Sequence, residues 1–133
     1  KKITMTHPTL KQLKSPADIT QIASPYLHKS TEYLIVLSLD QRLLILDIFF
    51  FDSNDESSVL FLPTDLFSRA HSHSAYFVLL AHFHPNGCCM PSIQDIQTTR
   101  HIQTIGKKLG IPLYDHILFT RTSLYSFLEN GLL

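Results

Sequence analysis

The sequence predicts an α+β (α/β) domain in which a mixed β-sheet is flanked by helices, and three observations predict it. Segments of helical period alternate with apolar, strand-like runs in the order α-β-β-α-β-α-β-β. Most of the strand-like runs are close enough in sequence to pair as hairpins, whereas Tyr76 to Phe83 is apolar on both parities and reads as a central strand covered on both faces. With 133 residues, 44% of them apolar and 17% charged, the chain suits one compact domain spanning residues 1–133, with a loose N-terminal segment over 1–14.

The first helix is expected at Ser15-Pro16-Ala17-Asp18, where Ser15 is a candidate N-cap, Pro16 fits the first turn, and Ile19, Ile22 and Ala23 make a short apolar stripe ending near Pro25. Glu32 to Leu39 and Leu43 to Phe51 read as two paired, buried strands joined through Asp40-Gln41. Asp52 to Ser58 is polar and reads as a loop, and Pro63 to His73 spaces Leu66, Phe67 and Ala70 as a second helix. After the central strand, Pro85-Asn86-Gly87 breaks the chain. Ser92 with Asp95 then carries a capping-box signal for a helix to about Leu109, closed by Gly110. Ile111 to Phe119 and Leu124 to Phe127 are the last two strands, joined through Arg121-Thr122.

Composition narrows the function classes. Lys plus Arg and Asp plus Glu each count 11, and a pI near 7.3 gives no bulk attraction to nucleic acid or anionic membrane. Nor does any window approach the ~18 apolar residues of a bilayer span. The two cysteines, Cys88 and Cys89, are adjacent, which is not the spacing of a disulfide framework, and the polar opening broken by Pro8 does not read as a signal peptide. A reducing, cytoplasmic compartment is therefore expected. Eight histidines give the first hint of chemistry.

Two of them, in His82-Phe83-His84, close the central strand, and a period of two sends both rings to one face. Such a pair is the beginning of a transition-metal site, which needs a third protein ligand and an open position to be catalytic. Asp95 is the candidate. It heads a helical stripe with Thr98, Ile102, Ile105 and Leu109 that faces the sheet, where a carboxylate needs a partner. Each residue also has a structural reading: the histidines as hydrogen-bonded core groups, and Ser92 and Asp95 as an ordinary N-cap and N3 acid. His71-Ser72-His73 repeats the spacing at a helix end, where residues two apart diverge by roughly 200° and interaction with terminal carbonyls is the natural use. Thiolate ligation by Cys88 and Cys89 adds little, because vicinal cysteines seldom converge on one ion.

The combined pattern, His82-x-His84-Pro85 with Ser92 and Asp95, resembles the JAMM motif of the JAB/MPN metallopeptidase superfamily, whose fold is a cytidine-deaminase-like sandwich. Leu109-Gly110-Ile111, Asp115-His116-Ile117, Tyr125-Ser126-Phe127 and Asn130-Gly131-Leu132-Leu133 narrow the resemblance to the RadC-like branch. So do Lys14 to Asp18, Glu32-Tyr33-Leu34 and Leu39-Asp40, so that it covers nearly the whole chain. Asn86 stands where RadC-like sequences usually carry Ser, Thr64 where they carry Arg, and Asp52 to Ser58 replaces a Gly-Thr segment.

The resemblance implies one Zn²⁺ held by His82, His84 and Asp95, with Glu32 as the base that deprotonates a metal-activated water and Ser92 stabilising the oxyanion. His116 is a candidate supporting group. The implied activity is hydrolysis of a peptide or isopeptide amide in a peptide or protein substrate. The alternative is a non-catalytic protein-interaction or DNA-repair-associated scaffold of the RadC family. The helix-hairpin-helix-like domain of longer RadC proteins is not expected here, and direct nucleic-acid binding would need a basic stripe that the neutral balance does not supply.

Overall fold

The computed structural model of the chain describes residues 2–4, 11–52 and 63–133. Its elements are β1 (Lys2–Thr4), α1 (Asp18–Ala23), β2 (Tyr33–Leu39), β3 (Ile45–Asp52), α2 (Pro63–Ser72), β4 (Phe77–Phe83), α3 (Ile93–Leu109), β5 (Leu113–Phe119) and β6 (Leu124–Ser126). A 3₁₀ turn, Ser24–Tyr26, extends α1. The strands form one six-stranded mixed sheet in the order β1-β3-β2-β4-β5-β6. All pairs are antiparallel except β4 and β5, which run parallel and are joined through α3, as a parallel pair requires a crossover. The helices lie on both faces: α1 covers one with Ile19, Ile22 and Ala23, and α2 and α3 cover the other with Leu66, Phe67, Ala70 and Ile102.

Alternation along the central strands sorts their side chains between these layers. On β2, Ile35, Leu37 and Leu39 face α1 while Leu34 and Val36 face α2 and α3, so all seven strand residues are buried. Phe83 is fully buried on the α1 face, stacked on Tyr33 at 4.7 Å, and Phe119 lies 5.3 Å from it. Burying an aromatic side chain is worth about 1.5–3 kcal/mol. A one-residue slip would turn Phe83 out of this aromatic cluster to the α3 face, so its packing pins His82 and His84 to the α3 face.

Several expectations shift. The N-terminal segment read as loose contributes the edge strand Lys2–Thr4 and, through Gln12, a bridge to Leu44; three residues are too few to show a strand period. Ser15 does not cap α1. Instead the Asp18 carboxylate accepts from the backbone N–H groups of Lys14 and Ser15, at 2.7 and 3.0 Å. Apart from Asp52, which ends β3, the loop expected over Asp52 to Ser58 lies outside the described residues. The inner stripe of α3 is Asp95, Thr99, Ile102 and Gly106, not the adjoining track through Thr98, Ile105 and Leu109, and Leu109 is 57% exposed. Spacings of 4, 3 and 4 follow the 3.6-residue period; an apolar search passes over Thr99 and Gly106. At Gly106 an added Cβ would sit 2.6 Å from the carbonyl oxygen of Ile111, so glycine is what lets α3 reach β5 so closely. Among the described residues no helix is long and apolar enough to cross a membrane.

Candidate metal centre

Three elements deliver the polar residues to one end of the sheet. β4 ends at Phe83, and His82 within it and His84 just after it project to the α3 face with ring centroids 4.7 Å apart. Pairing of Tyr33 with Phe83 and of Leu34 with His82 brings Glu32, just before β2, beside the histidines. Its Oε1 lies 2.9 Å from His82 Nε2. α3 begins at Ser92, an extended N-cap whose Oγ accepts from the Asp95 N–H at 3.0 Å while Asp95 Oδ2 accepts from the Ser92 N–H at 2.8 Å. That reciprocal capping box is complete, and the same carboxylate faces both rings: Oδ1 is 3.5 Å from His82 Nδ1 and Oδ2 is 3.9 Å from His84 Nε2. The capping group and the group that faces the two rings are thus one carboxylate.

Donor atoms of Glu32, His82 and His84 all lie within 4.8 Å of one another, a spacing that can hold a metal ion. The donor chemistry fits a transition metal. His84 Nδ1 donates to the Cys88 carbonyl oxygen at 2.8 Å, which orients the ring from outside and leaves Nε2 facing the cluster. Glu32 stands closer to the rings than a residue acting only as a remote base, and Asp95 approaches His82 through the opposite ring nitrogen. The cluster opens into a cleft of 390 Å³ with Leu34 and Leu80 in its wall and Cys88 and Met90 along its lining.

Electrostatics binds the group together. Burial disfavours a charged His82, but Asp95 and Glu32 on its two sides outweigh that and push its pKa up to about 9. Burial also penalises the Asp95 charge, yet His82 and the Ser92 cap hold the carboxyl well below the ordinary carboxylate range. Glu32 is lowered chiefly by its hydrogen bond with His82, against partial burial. Beneath them, His116 is buried with its ring nearly parallel to Phe127 at 4.9 Å; burial, then the nearby His82, push its pKa down to about 3.

A family model described as RadC-like JAB domain matches residues 13–132. The chain belongs to this family. This RadC-like JAB domain is similar to a UPF0758 protein of Symbiobacterium thermophilum, 31% identical over 122 residues that cover 91% of this chain and 52% of the relative. It is also similar to one of Salinibacter ruber, 30% identical over 92% of this chain and 53% of the relative. A third, from Geotalea uraniireducens, is 33% identical over 77% of this chain and 45% of the relative. The RadC-like JAB domain therefore spans about half the length of the relatives it matches, and its mixed sheet with flanking helices is the architecture expected of it.

Residues outside the motif also hold this RadC-like JAB domain's cluster together. Arg121 donates to the carbonyl oxygens of Lys29 at 2.7 Å and Pro85 at 3.1 Å, bracing the loop before Glu32 against the one after His84. Sequence reading gave Arg121 only a turn, because its 36- and 92-residue separations from these partners leave no local signal. Thr99 was hidden by its polar type, and its place four residues after Asp95 was the available clue.

Proposed function

We propose that the chain is a zinc-dependent metallohydrolase that cleaves an amide, peptide or isopeptide, in a peptide or protein substrate. His82, His84 and Asp95 would hold the ion, Glu32 would serve as general base, and Ser92 would stabilise the oxyanion. The observation that carries this reading is the convergence of two imidazoles and two carboxylates from β4, the segment before β2 and α3 on one cleft. Two nitrogen donors with carboxylate oxygen suit Zn²⁺ better than Mg²⁺. A zinc ion there would bring the pKa of coordinated water to roughly 7 and polarise a carbonyl.

The chain's own groups supply the proton traffic. Glu32, half exposed at the cleft and held ionised by its surroundings, would take a proton from the attacking water and return it to the leaving nitrogen. Ser92 Oγ accepts from the Asp95 N–H, so its hydroxyl hydrogen can donate to a developing oxyanion beside the positive end of α3. Cys88 and Cys89, both free thiols, suit a reducing compartment such as the cytoplasm.

Glu32→Gln tests the reading. With a panel of fluorogenic peptide and isopeptide substrates and zinc-loaded protein, the variant is expected to retain metal and near-native stability while hydrolysis falls by about a hundredfold or more. Wild-type rates in the variant would refute the base role. No turnover by the wild type across the panel, with zinc bound, would favour the scaffold reading.

A further inference from the structure

Thr99 lies on the inner face of α3, one turn after Asp95, and is 1% exposed. Its hydroxyl meets two partners, the main-chain oxygen of Asp95 at 2.7 Å and Nδ1 of His116 at 2.6 Å. A hydroxyl has one hydrogen, and a carbonyl oxygen only accepts, so Thr99 donates to Asp95. The contact with His116 then requires the proton to be on Nδ1 of the imidazole. That leaves Nε2 as a bare lone pair, which agrees with its surroundings: it is buried and, among the described residues, has no hydrogen-bond partner. A buried bare acceptor is tolerated more readily than a buried orphan N–H.

We infer that His116 is a positioning residue that sets the place of Asp95 at the His82 and His84 cluster through the Thr99 hydroxyl. The inference rests on the reading of Asp95 as a metal ligand. The chain of donors runs one way, from His116 Nδ1 to Thr99 Oγ1 to the Asp95 carbonyl, and ties the first turns of α3 to β5. Its anchor is firm. The His116 ring lies between Phe127 at 4.9 Å and His82 at 6.2 Å, nearly parallel to both, and its backbone N–H donates to the buried Asp115 carboxylate at 2.7 Å. Asp115 in turn accepts from the Ser126 hydroxyl at 2.6 Å and the Leu128 N–H at 3.0 Å. A threonine hydroxyl often bonds back to the carbonyl four residues earlier, but that bond alone would leave α3 unattached to the sheet at this level. With the histidine added, a shift of the first turns of α3 must break a buried hydrogen bond, so the separations of Asp95 from the two histidine rings are held.

The test pairs Thr99→Val, which keeps the shape and removes the hydroxyl, with Thr99→Ser, which restores it. Zinc affinity, read by competition with a chromophoric chelator, is expected to fall tenfold to a hundredfold in Thr99→Val and to recover in Thr99→Ser. In the metal-free protein, nitrogen-15 spectra of the imidazoles should place the His116 proton on Nδ1. Thr99→Val should shift the resonances of Asp95, His82 and His84. A wild-type proton on Nε2 overturns the inference even if the valine variant fails to fold. A folded Thr99→Val with wild-type zinc affinity and unmoved Asp95 resonances overturns it as well. If the wild type takes up no zinc, the ligand reading of Asp95 falls, and the positioning claim is decided by the resonances: displaced in Thr99→Val it stands, unmoved it falls.

Discussion

Replacing Asp95 with Asn separates its capping of α3 from the metal-ligand role proposed for it, because Asn keeps the shape and an acceptor oxygen but removes the charge. As a capping group, Asp95 accepts from the Ser92 N–H at 2.8 Å, and Asn can still accept there. The cap loses a charge-assisted bond and the helix-dipole term, together about 1 kcal/mol, and the metal-free protein also loses the pairing of Asp95 with His82 at 3.5 Å. For a domain of this size the cap loss alone corresponds to a fall in Tm of about 3–5 °C, and loss of the His82 pairing adds to it. As a ligand, the carboxylate faces His82 Nδ1 at 3.5 Å and His84 Nε2 at 3.9 Å, and loss of its charge should weaken zinc binding by more than the hundredfold at the top of the range for supporting partners. Thermal denaturation of the metal-free protein reads the first effect, and a zinc competition titration reads the second. A variant with the lowered Tm but wild-type zinc affinity would refute the ligand role and leave Asp95 as a helix cap.

Gly106→Ala should destabilise the fold by about 1–2 kcal/mol in urea denaturation, since a Cβ 2.6 Å from the Ile111 carbonyl oxygen outweighs the ~1 kcal/mol helix-propensity gain; a more stable variant would refute the close approach of α3 to β5. The metal-free protein should be most stable near pH 6.5. Above it, His82, whose folded pKa is raised to about 9, holds a proton that the unfolded chain releases; below it, His116, lowered to about 3, refuses a proton that the unfolded chain takes up. Each group gives a slope of up to about 1.4 kcal/mol per pH unit. Urea denaturation from pH 4.5 to 9 should show His116→Phe flattening the acid limb only, and an unchanged acid limb would contradict the assignment.

Much of the fold was legible because its signals are local. Continuous apolar runs announced β2 to β5, and Gly110, at φ 76°, ends α3 where a left-handed C-cap was expected. β1 was not legible, since Lys2–Thr4 is a strand only by virtue of its pairing with Phe49, Phe50 and Phe51. In the cluster, period two placed His82 and His84 on one face, and capping-box spacing singled out Ser92 and Asp95. Glu32 is 50 positions from His82, and only the family resemblance could nominate it. Which ring nitrogen of His82 meets which carboxylate, how Arg121 braces two loops, and how Thr99 links His116 to Asp95 depend on tertiary packing, for which the sequence carries no period.

Whether His82, His84 and Asp95 hold a metal ion is decided by elemental analysis of protein purified without chelator. About one transition metal per chain is expected, restored by added Zn²⁺ after removal and lost in His82→Ala and His84→Ala. Protein that holds no metal, takes up no added Zn²⁺ and is unaltered by His84→Ala would contradict it.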